Sequence, residues 1–159
     1  MNRSPTIPGL LAVVLVCLAG CRSSGGTVPR VYLEARSAVQ GERTRTFTLP
    51  RSQAAFEVWA RPVLTEFAFA NAEMVRVDRG LCLLLETDPA GARQLYRITT
   101  ANLGAVLVLT INDNPVGVRQ IDGSLADGRL FVFLELSDDA LESLVLDLQA
   151  SLPEIRKQQ

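Results

Sequence analysis

The stretch 87–136 constrains the fold of this chain most strongly, because its residue pattern changes between helical and strand periodicity. It reads in order as a helix, a buried strand, a tight turn, an edge strand, a hairpin and a further strand. Residues 105–111 are almost entirely apolar, which is typical of a central strand covered on both faces. The stretch therefore predicts a sheet with helices packed on it, to which the remaining sequence must add strands and a second helix.

The two predicted helices have recognisable ends. Asp88 is suited to an N-cap, Pro89 to the first helical position and Gly104 to the position just past the C-terminus. The predicted core-facing residues are Ala92, Leu95, Tyr96, Ile98, Thr99 and Leu103. Ser137 should cap the second helix, which Pro153 is expected to end. Its predicted buried stripe is Leu141, Leu144, Val145, Leu148 and Leu152. That stripe could bind a partner helix, but sealing the sheet is favoured because no other cover remains for that face.

Further strands are predicted before the central stretch. Alternation and β-prone residues place them at 30–35, 44–49, 55–59, 73–77 and 81–86. Gly80 supplies the turn between the last two, where a positive φ is wanted. Trp59 could be a binding aromatic residue, although packing is the favoured interpretation. The predicted fold is α+β: a mainly antiparallel, ferredoxin-like sheet with two helices packed on one face, preceded by extra N-terminal strands.

The N-terminus has the parts of a bacterial export signal. A short apolar run follows Arg3, and it is too short to cross a bilayer, which takes about 20 residues. The sequence that ends this run at Cys21 resembles the lipobox of bacterial lipoproteins, with an uncleaved anchor or an ordinary secreted protein as alternatives. The predicted organisation is a signal peptide at 1–20, a lipidated Cys21 with a flexible linker at 21–29, and one domain at 30–159. Arg22 favours the outer membrane by analogy with enteric lipoprotein sorting.

Composition excludes several classes of function. The 159 residues carry a net charge of −1 and include no histidine. A nucleic-acid-binding protein would need a clustered basic face, and His-based catalysis or zinc binding would need imidazole. Of the three cysteines, only Cys82 lies in the body of the chain, where an apolar run predicts a buried thiol and permits no internal disulfide. We therefore expect no nucleic acid, metal or cofactor.

Acidic residues are the remaining candidates for chemistry. Asp113 could cluster with Asp122 or Asp127 at loop ends, and Asp138 and Asp139 share a helix start. Paired carboxylates can serve as general acid and base or bind calcium. Turn formation and helix capping account for every one of these positions, and no nucleophile elbow, phosphate loop or dinucleotide fingerprint is present. We predict that the chain is not an enzyme.

A series of turn and cap motifs points to a known family. In chain order they are Pro62-Val63-Leu64-Thr65-Glu66, Ala72, Thr87-Asp88-Pro89-Ala90-Gly91, Thr100-Ala101-Asn102-Leu103-Gly104, residues 107–111 with their turn, Ile121 with Gly123, and Asp138-Asp139-Ala140. This order resembles the periplasmic head subdomain of the SecD and SecF proteins of bacterial protein export, over about residues 54–150. Two features depart from the family: the turn at 112–114 lacks its usual Asp-Gly, and residues 130–136 lack a glycine. These motifs are structural and identify a fold better than an activity.

The resemblance implies a protein-interaction domain, since the family's head subdomain is thought to engage exported polypeptide. We expect a lipid-anchored envelope protein that faces the periplasm and binds envelope proteins or exported chains. The predicted interaction surface is an exposed strand edge formed by Asn114, Val116, Val118, Arg119 and Gln120. Two alternatives remain open: a structural lipoprotein without a client, and a small-ligand carrier with a pocket between sheet and helices.

Overall fold

The computed structural model describes residues 26–36 and 43–158. The predicted signal peptide at 1–20 and the predicted lipidation site Cys21 lie outside these residues. In chain order the elements are β1 (Pro29–Leu33), β2 (Thr44–Thr48), β3 (Ala55–Trp59), a 3-10 helix (Glu66–Ala68), β4 (Phe69–Val77), β5 (Gly80–Thr87), α1 (Pro89–Ala101), β6 (Val106–Ile111), β7 (Asn114–Gln120), β8 (Arg129–Leu134) and α2 (Asp138–Arg156).

Six of these strands form one antiparallel sheet in the order β1-β6-β7-β8-β5-β4. The strands β2 and β3 form a separate two-stranded hairpin. The predicted α+β class, with a mainly antiparallel sheet, two helices and extra N-terminal strands, is confirmed. The sheet order could not be deduced from local pattern, because β1 pairs with β6, whose residues lie more than seventy positions further along the chain.

The two faces of the sheet are covered differently. Both helices pack on one face, because residues of α1, α2 and alternate positions of the strands share one large apolar core. Its fully buried members include Leu83, Leu95, Leu107, Leu130 and Leu148. On the other face, the β2–β3 hairpin covers β1, β6 and part of β7 through a second, smaller apolar cluster. The central strand β6 is therefore covered on both sides, which explains its almost continuous apolar sequence.

The sheet is curled, and α2 lies between its two edges. Backbone groups of Val31 bond to the segment before the 3-10 helix, with its N–H donating to the carbonyl of Leu64 at 2.9 Å. On the β4 side, Gln149 of α2 donates to a backbone carbonyl of that strand. On the β1 side, the backbone N–H of Thr27 donates to Ser151 Oγ of the same helix at 2.9 Å. This contact fixes part of the predicted flexible linker to the domain.

Two predictions about the helices are wrong. Pro153 does not end α2, which continues to Arg156 because Ile155 is buried on the same stripe as Leu152 and extends the packing past the proline. In α1 the buried residues are Gly91, Leu95 and Thr99. Two members of the predicted core face are instead exposed. Tyr96 is 46% exposed because it lies beside the buried line of Leu95 and Thr99, and Leu103 is 61% exposed because α1 ends before it, at Ala101.

Candidate functional site

The predicted interaction edge lies on β7, which is an interior strand. It pairs with β6 along its whole length and with β8 at Gly117 and Val118. The description of these residues as an exposed sheet edge is therefore wrong, because β6 pairs on one side of β7 and β8 pairs on the other. Whether this strand takes part in an interaction stays a prediction that the topology does not favour.

The five residues named for that edge have different surroundings. Asn114 is exposed beside the β6–β7 turn, and Val116 and Val118 are half-buried against the two apolar clusters. Arg119 donates to the Phe131 carbonyl and, at 2.9 Å, to Asp122 Oδ1. This guanidinium lowers the pKa of Asp122. Gln120 closes the strand at an exposed position. Arg119 thus links β7 to β8 beyond the point where their backbone pairing ends, which is a structural role.

The uncovered edge of the sheet is instead β4. Val77 and Gly80 face each other across a tight two-residue turn, so their backbone groups bond to each other. Alternation then directs the backbone groups of Met74 and Arg76 away from β5, on the same side as Ala72. The Ala72 carbonyl accepts a hydrogen bond from α2, which leaves the second half of β4 as a short free edge.

An apolar surface adjoins this edge on the sheet face opposite the helices. We call it the open face, and define it by Val75, Val77, Phe131 and Phe133. The β2–β3 hairpin covers the β1 half of this sheet face, and among the residues that the structure describes, the apolar cluster beneath it includes none from β4, β5 or β8. Val77 remains 38% exposed and Phe133 37%. A contiguous apolar surface of this kind on a soluble domain is typical of an interaction site.

Polar groups bound the open face at both ends. At one end Glu86 accepts from Asn71 at 3.2 Å and lies 3.4 Å from Arg129. At the other end Glu135 accepts the backbone N–H groups of Arg51 and Ser52 at the tip of the β2–β3 hairpin. Hydrogen bonds from Ser52 lower the pKa of Glu135. The surface therefore has an apolar centre and a charged rim, the arrangement common at protein interfaces.

Cys82 lies on the same sheet face but is completely buried, opposite Val75 in the register of β4 and β5. Burial raises the pKa of its thiol. A thiol that is buried and protonated at neutral pH is a poor nucleophile, since the thiolate is the reactive form. The interpretation of Cys82 as a small buried hydrophobe agrees with this position.

The structure separates the acidic residues that could have formed a catalytic or calcium site. Asp113 lies in the β6–β7 turn beside Arg30, at the opposite end of β7 from Asp122. Asp127 accepts the backbone N–H of Arg129 in a loop. In the described part of the chain, no three histidine, cysteine or acidic residues are grouped closely enough to hold a metal ion. These carboxylates serve turns and ion pairs.

The open face is the site that sequence reasoning missed. Its signal was present in the alternation of β8, where Phe131 and Phe133 flank the core residue Val132. Both aromatic residues belong to a strand that is strongly β-prone throughout, so the local pattern could not separate a face buried under helices from an uncovered one. Only the position of the β2–β3 hairpin decides which half of the second face stays open.

Comparison with known proteins identifies the fold. No family model and no curated protein matches this chain. Among solved structures it is similar to SecDF, described as a membrane component that enhances protein export, with a TM-score of 0.59 and 19% identity over 80% of this chain and 64% of that one. It is also similar to SecDF in its super-membrane-facing form, with a TM-score of 0.61 and 18% identity over 80% of this chain.

The chain spans 64% of the first of these structures and 19% of the second. Within residues 26–36 and 43–158, no helix is both long enough and apolar enough to cross a membrane. A likeness at this level of identity concerns the fold. The chain therefore has a SecD-like fold.

Proposed function

We propose that this chain is an envelope lipoprotein, anchored through Cys21 and facing the periplasm, whose SecD-head-like domain binds protein and catalyses no reaction. The observation that carries the proposal is the open face beside the free edge of β4. Its four defining side chains are apolar, and two of them, Val77 and Phe133, remain more than a third exposed. A monomeric domain keeps such a surface uncovered when a partner needs it.

The geometry favours an extended polypeptide as that partner. A strand added to β4 would bond to the backbone groups at Met74 and Arg76, and its alternate side chains would continue the open face. Backbone bonds recognise no particular sequence, and the open face selects only for apolar side chains. Binding should therefore be weak and tolerant of sequence, which suits unfolded chains or a partner with a flexible apolar segment.

The fold supports a place in protein export or envelope assembly. The similar SecDF structure is described as enhancing protein export, and we carry that context to this chain as part of the proposal. Here the domain would act from a lipid anchor, and Arg22 following the lipidated cysteine favours the outer membrane. The partners would then be exported chains or envelope proteins that approach from the periplasm.

A small-ligand carrier has less support. The space between the sheet and the helices is filled by the core side chains. One shallow hollow lies on the outer surface, beside Ala92, Arg93, Tyr96 and Ala126. Carriers usually enclose most of their ligand, so an open hollow with one aromatic wall does not favour this function. A structural lipoprotein without a client would need no open face.

Photo-crosslinking in living cells tests the protein-binding proposal. A photoreactive residue would replace Phe133 or Val77 on the open face, and Thr46 on β2 as the matched exposed control. Crosslinks from both open-face positions to exported chains or translocase subunits, with none from Thr46, are the expected result. One dominant envelope protein would instead identify an assembly partner. Equal or absent crosslinks from all three positions would contradict a binding role for this surface.

The anchor is tested separately by Cys21→Ser. The substitution removes the thiol that is lipidated. Stable anchoring needs several acyl chains, so a variant that carries none should not stay on the membrane. We expect the variant to leave the membrane fraction and to appear in the soluble fraction of the envelope, while the parent stays with membranes. Unchanged membrane association of the variant would rule out this anchor.

A further inference from the structure

We infer that the outer side of α2 lies against the lipid surface, so that the open face points away from the membrane. The inference rests on the proposed lipid anchor at Cys21 and adds the orientation of the domain on it. The position of Gly26 and the residue pattern on the outside of α2 carry the inference.

The described chain begins beside α2. Gly26 lies next to Ser151, close enough that an added Cβ would be 3.6 Å from that side chain. The backbone N–H of Thr27 donates to Ser151 Oγ, which fixes the point where the chain leaves the domain. Val28 is held as well, because its N–H donates to Asn112 Oδ1 at 2.9 Å. The chain thus joins the domain along the side of α2, at the seam between β1 and β4.

The remaining length to the anchor is short. Five residue steps separate Cys21 from Gly26, and an extended chain covers about 3.3 to 3.6 Å per residue, which allows about 18 Å at most. The domain is larger than this distance, since α2 alone has 19 residues and a rise of about 1.5 Å per residue. A lipid at Cys21 therefore brings the side of the domain near Ser151 to the membrane surface and keeps the opposite side away.

The outer side of α2 has an apolar row in its C-terminal half, which is the part of the helix near Ser151. Leu146, Ala150, Pro153 and Lys157 follow one another at spacings of four, three and four, so they share one row along the helix. All four are exposed, and Leu146 keeps 61% of its surface accessible. The row faces away from the buried stripe of the same helix, and Lys157 stands at its C-terminal end with its side chain 70% exposed.

Charge is balanced along the C-terminal half of α2, whereas Asp138, Asp139 and Glu142 are exposed in its N-terminal half, so the C-terminal half is the part that contacts the lipid. The two acidic residues Asp147 and Glu154 are matched in number by the basic residues Arg156 and Lys157. Glu154 also forms an ion pair with Lys157 at 2.7 Å. The outer row therefore contacts the membrane–water interface through its apolar atoms, while Lys157 reaches the lipid headgroups. This contact needs no excess of anionic lipid. The tether supplies the local concentration, so a weak contact is sufficient to orient the domain.

The orientation of the domain on the membrane also determines the direction in which the open face points. The helices and the open face lie on opposite faces of the sheet. When α2 rests on the lipid, Phe133 and the rest of the open face are directed toward the periplasm, where a partner can reach them. The β2–β3 hairpin shares that outward direction, and its exposed residue Thr46 provides a reference position.

The test measures which side of the anchored protein meets the lipid. Full-length protein with Ala150→Cys or Thr46→Cys is expressed as the lipoprotein and placed in vesicles of phosphatidylethanolamine and phosphatidylglycerol that carry a nitroxide on the headgroup. A fluorescent thiol label reaches only the introduced cysteine, because Cys82 is buried, Cys21 is blocked by its lipid and Cys17 is removed with the signal peptide. We expect the nitroxide to quench the label at position 150 several-fold more strongly than the label at position 46.

Sedimentation of the same samples separates the two proposals. If the labelled proteins sediment with the vesicles and quenching is equal at both positions, or stronger at position 46, the orientation is wrong and the anchor stands. If neither protein sediments with the vesicles, the anchor fails, and the orientation fails with it. Stronger quenching at position 150 in a sedimenting protein supports both.

Discussion

The side-chain amide of Gln149 donates to the backbone carbonyl of Ala72 at 2.9 Å, which joins the outer helix α2 to the edge strand β4. This contact occupies an outward-pointing carbonyl of β4. It also marks where the free part of the edge begins, two residues before Met74. The helix and the edge strand therefore stabilise each other, and the length of edge left for a partner depends on this amide.

Replacing this amide should weaken the domain by a predictable amount. Gln149→Ala leaves the Ala72 carbonyl without its side-chain partner, and we expect the free energy of unfolding to fall by about 1 kcal/mol. Urea denaturation measures the change. Asp147→Ala is the matched control on the exposed side of the same helix, and it should shift stability by less than about 0.5 kcal/mol. Equal effects of the two substitutions would mean that the amide bond contributes nothing specific.

Glu66 should make the stability of the domain depend on acid pH. Arg30 donates to both carboxylate oxygens of Glu66, at 2.8 and 3.0 Å, and this paired contact lowers the pKa of Glu66 below its ordinary value. Because the pKa is lower in the folded state than in the unfolded state, the contribution is present above about pH 4.5 and is lost as the pH falls through the folded value.

Glu66→Gln tests this dependence. At neutral pH we expect the variant to lose about 1 to 2 kcal/mol of unfolding free energy, and the loss of stability below about pH 4.5 should be shallower than in the parent. Denaturant unfolding at a series of pH values measures both. Glu154→Gln, which alters the exposed ion pair with Lys157, is the matched control and should leave the free energy of unfolding at neutral pH close to that of the parent. A parent and a Glu66→Gln variant with parallel acid profiles would contradict the prediction.

Gly117 should tolerate no side chain. A Cβ at this position would lie 2.4 Å from the carbonyl oxygen of Phe133, in the short region where β7 and β8 pair. Gly117→Ala must push the two strands apart, and we expect a loss of about 2 to 4 kcal/mol measured by urea denaturation. Gly123→Ala is the control, because a Cβ there meets nothing within 4 Å. Comparable losses for both would show that strand separation is not the cause.

Local features of the fold could be predicted because they depend on neighbouring residues. The side chain of Asp88 accepts the N–H of Gly91 at 2.7 Å, and Ser137 accepts that of Ala140, so both predicted N-caps are confirmed. The turn that ends at Gly80 is confirmed too, with a φ of 120° that favours glycine. In each case the residues that form the feature are at most three positions apart, so their order in the sequence carries the information.

Features that depend on distant residues could not be predicted. Strand β7 pairs with β8 as well as with β6, so it is interior and the predicted edge at Val118 and Arg119 was lost. The uncovered half of the second face, with Phe133 at its centre, likewise depends on where the β2–β3 hairpin packs. Both are properties of long-range pairing, which short sequence patterns do not specify.

Pro153 offers a substitution that should stabilise the chain. It lies inside α2, where it lacks the N–H that would bond to the carbonyl of Gln149, yet the buried residues Leu152 and Ile155 keep the helix continuous. Pro153→Ala restores that donor at an exposed position, and we expect the free energy of unfolding to rise by about 0.5 to 2 kcal/mol, because alanine has the higher helix propensity. Glu154→Ala, at the next exposed position, should change stability by no more than about 0.5 kcal/mol. A lower midpoint for Pro153→Ala would mean that the loss of chain stiffness in the unfolded state outweighs the restored hydrogen bond.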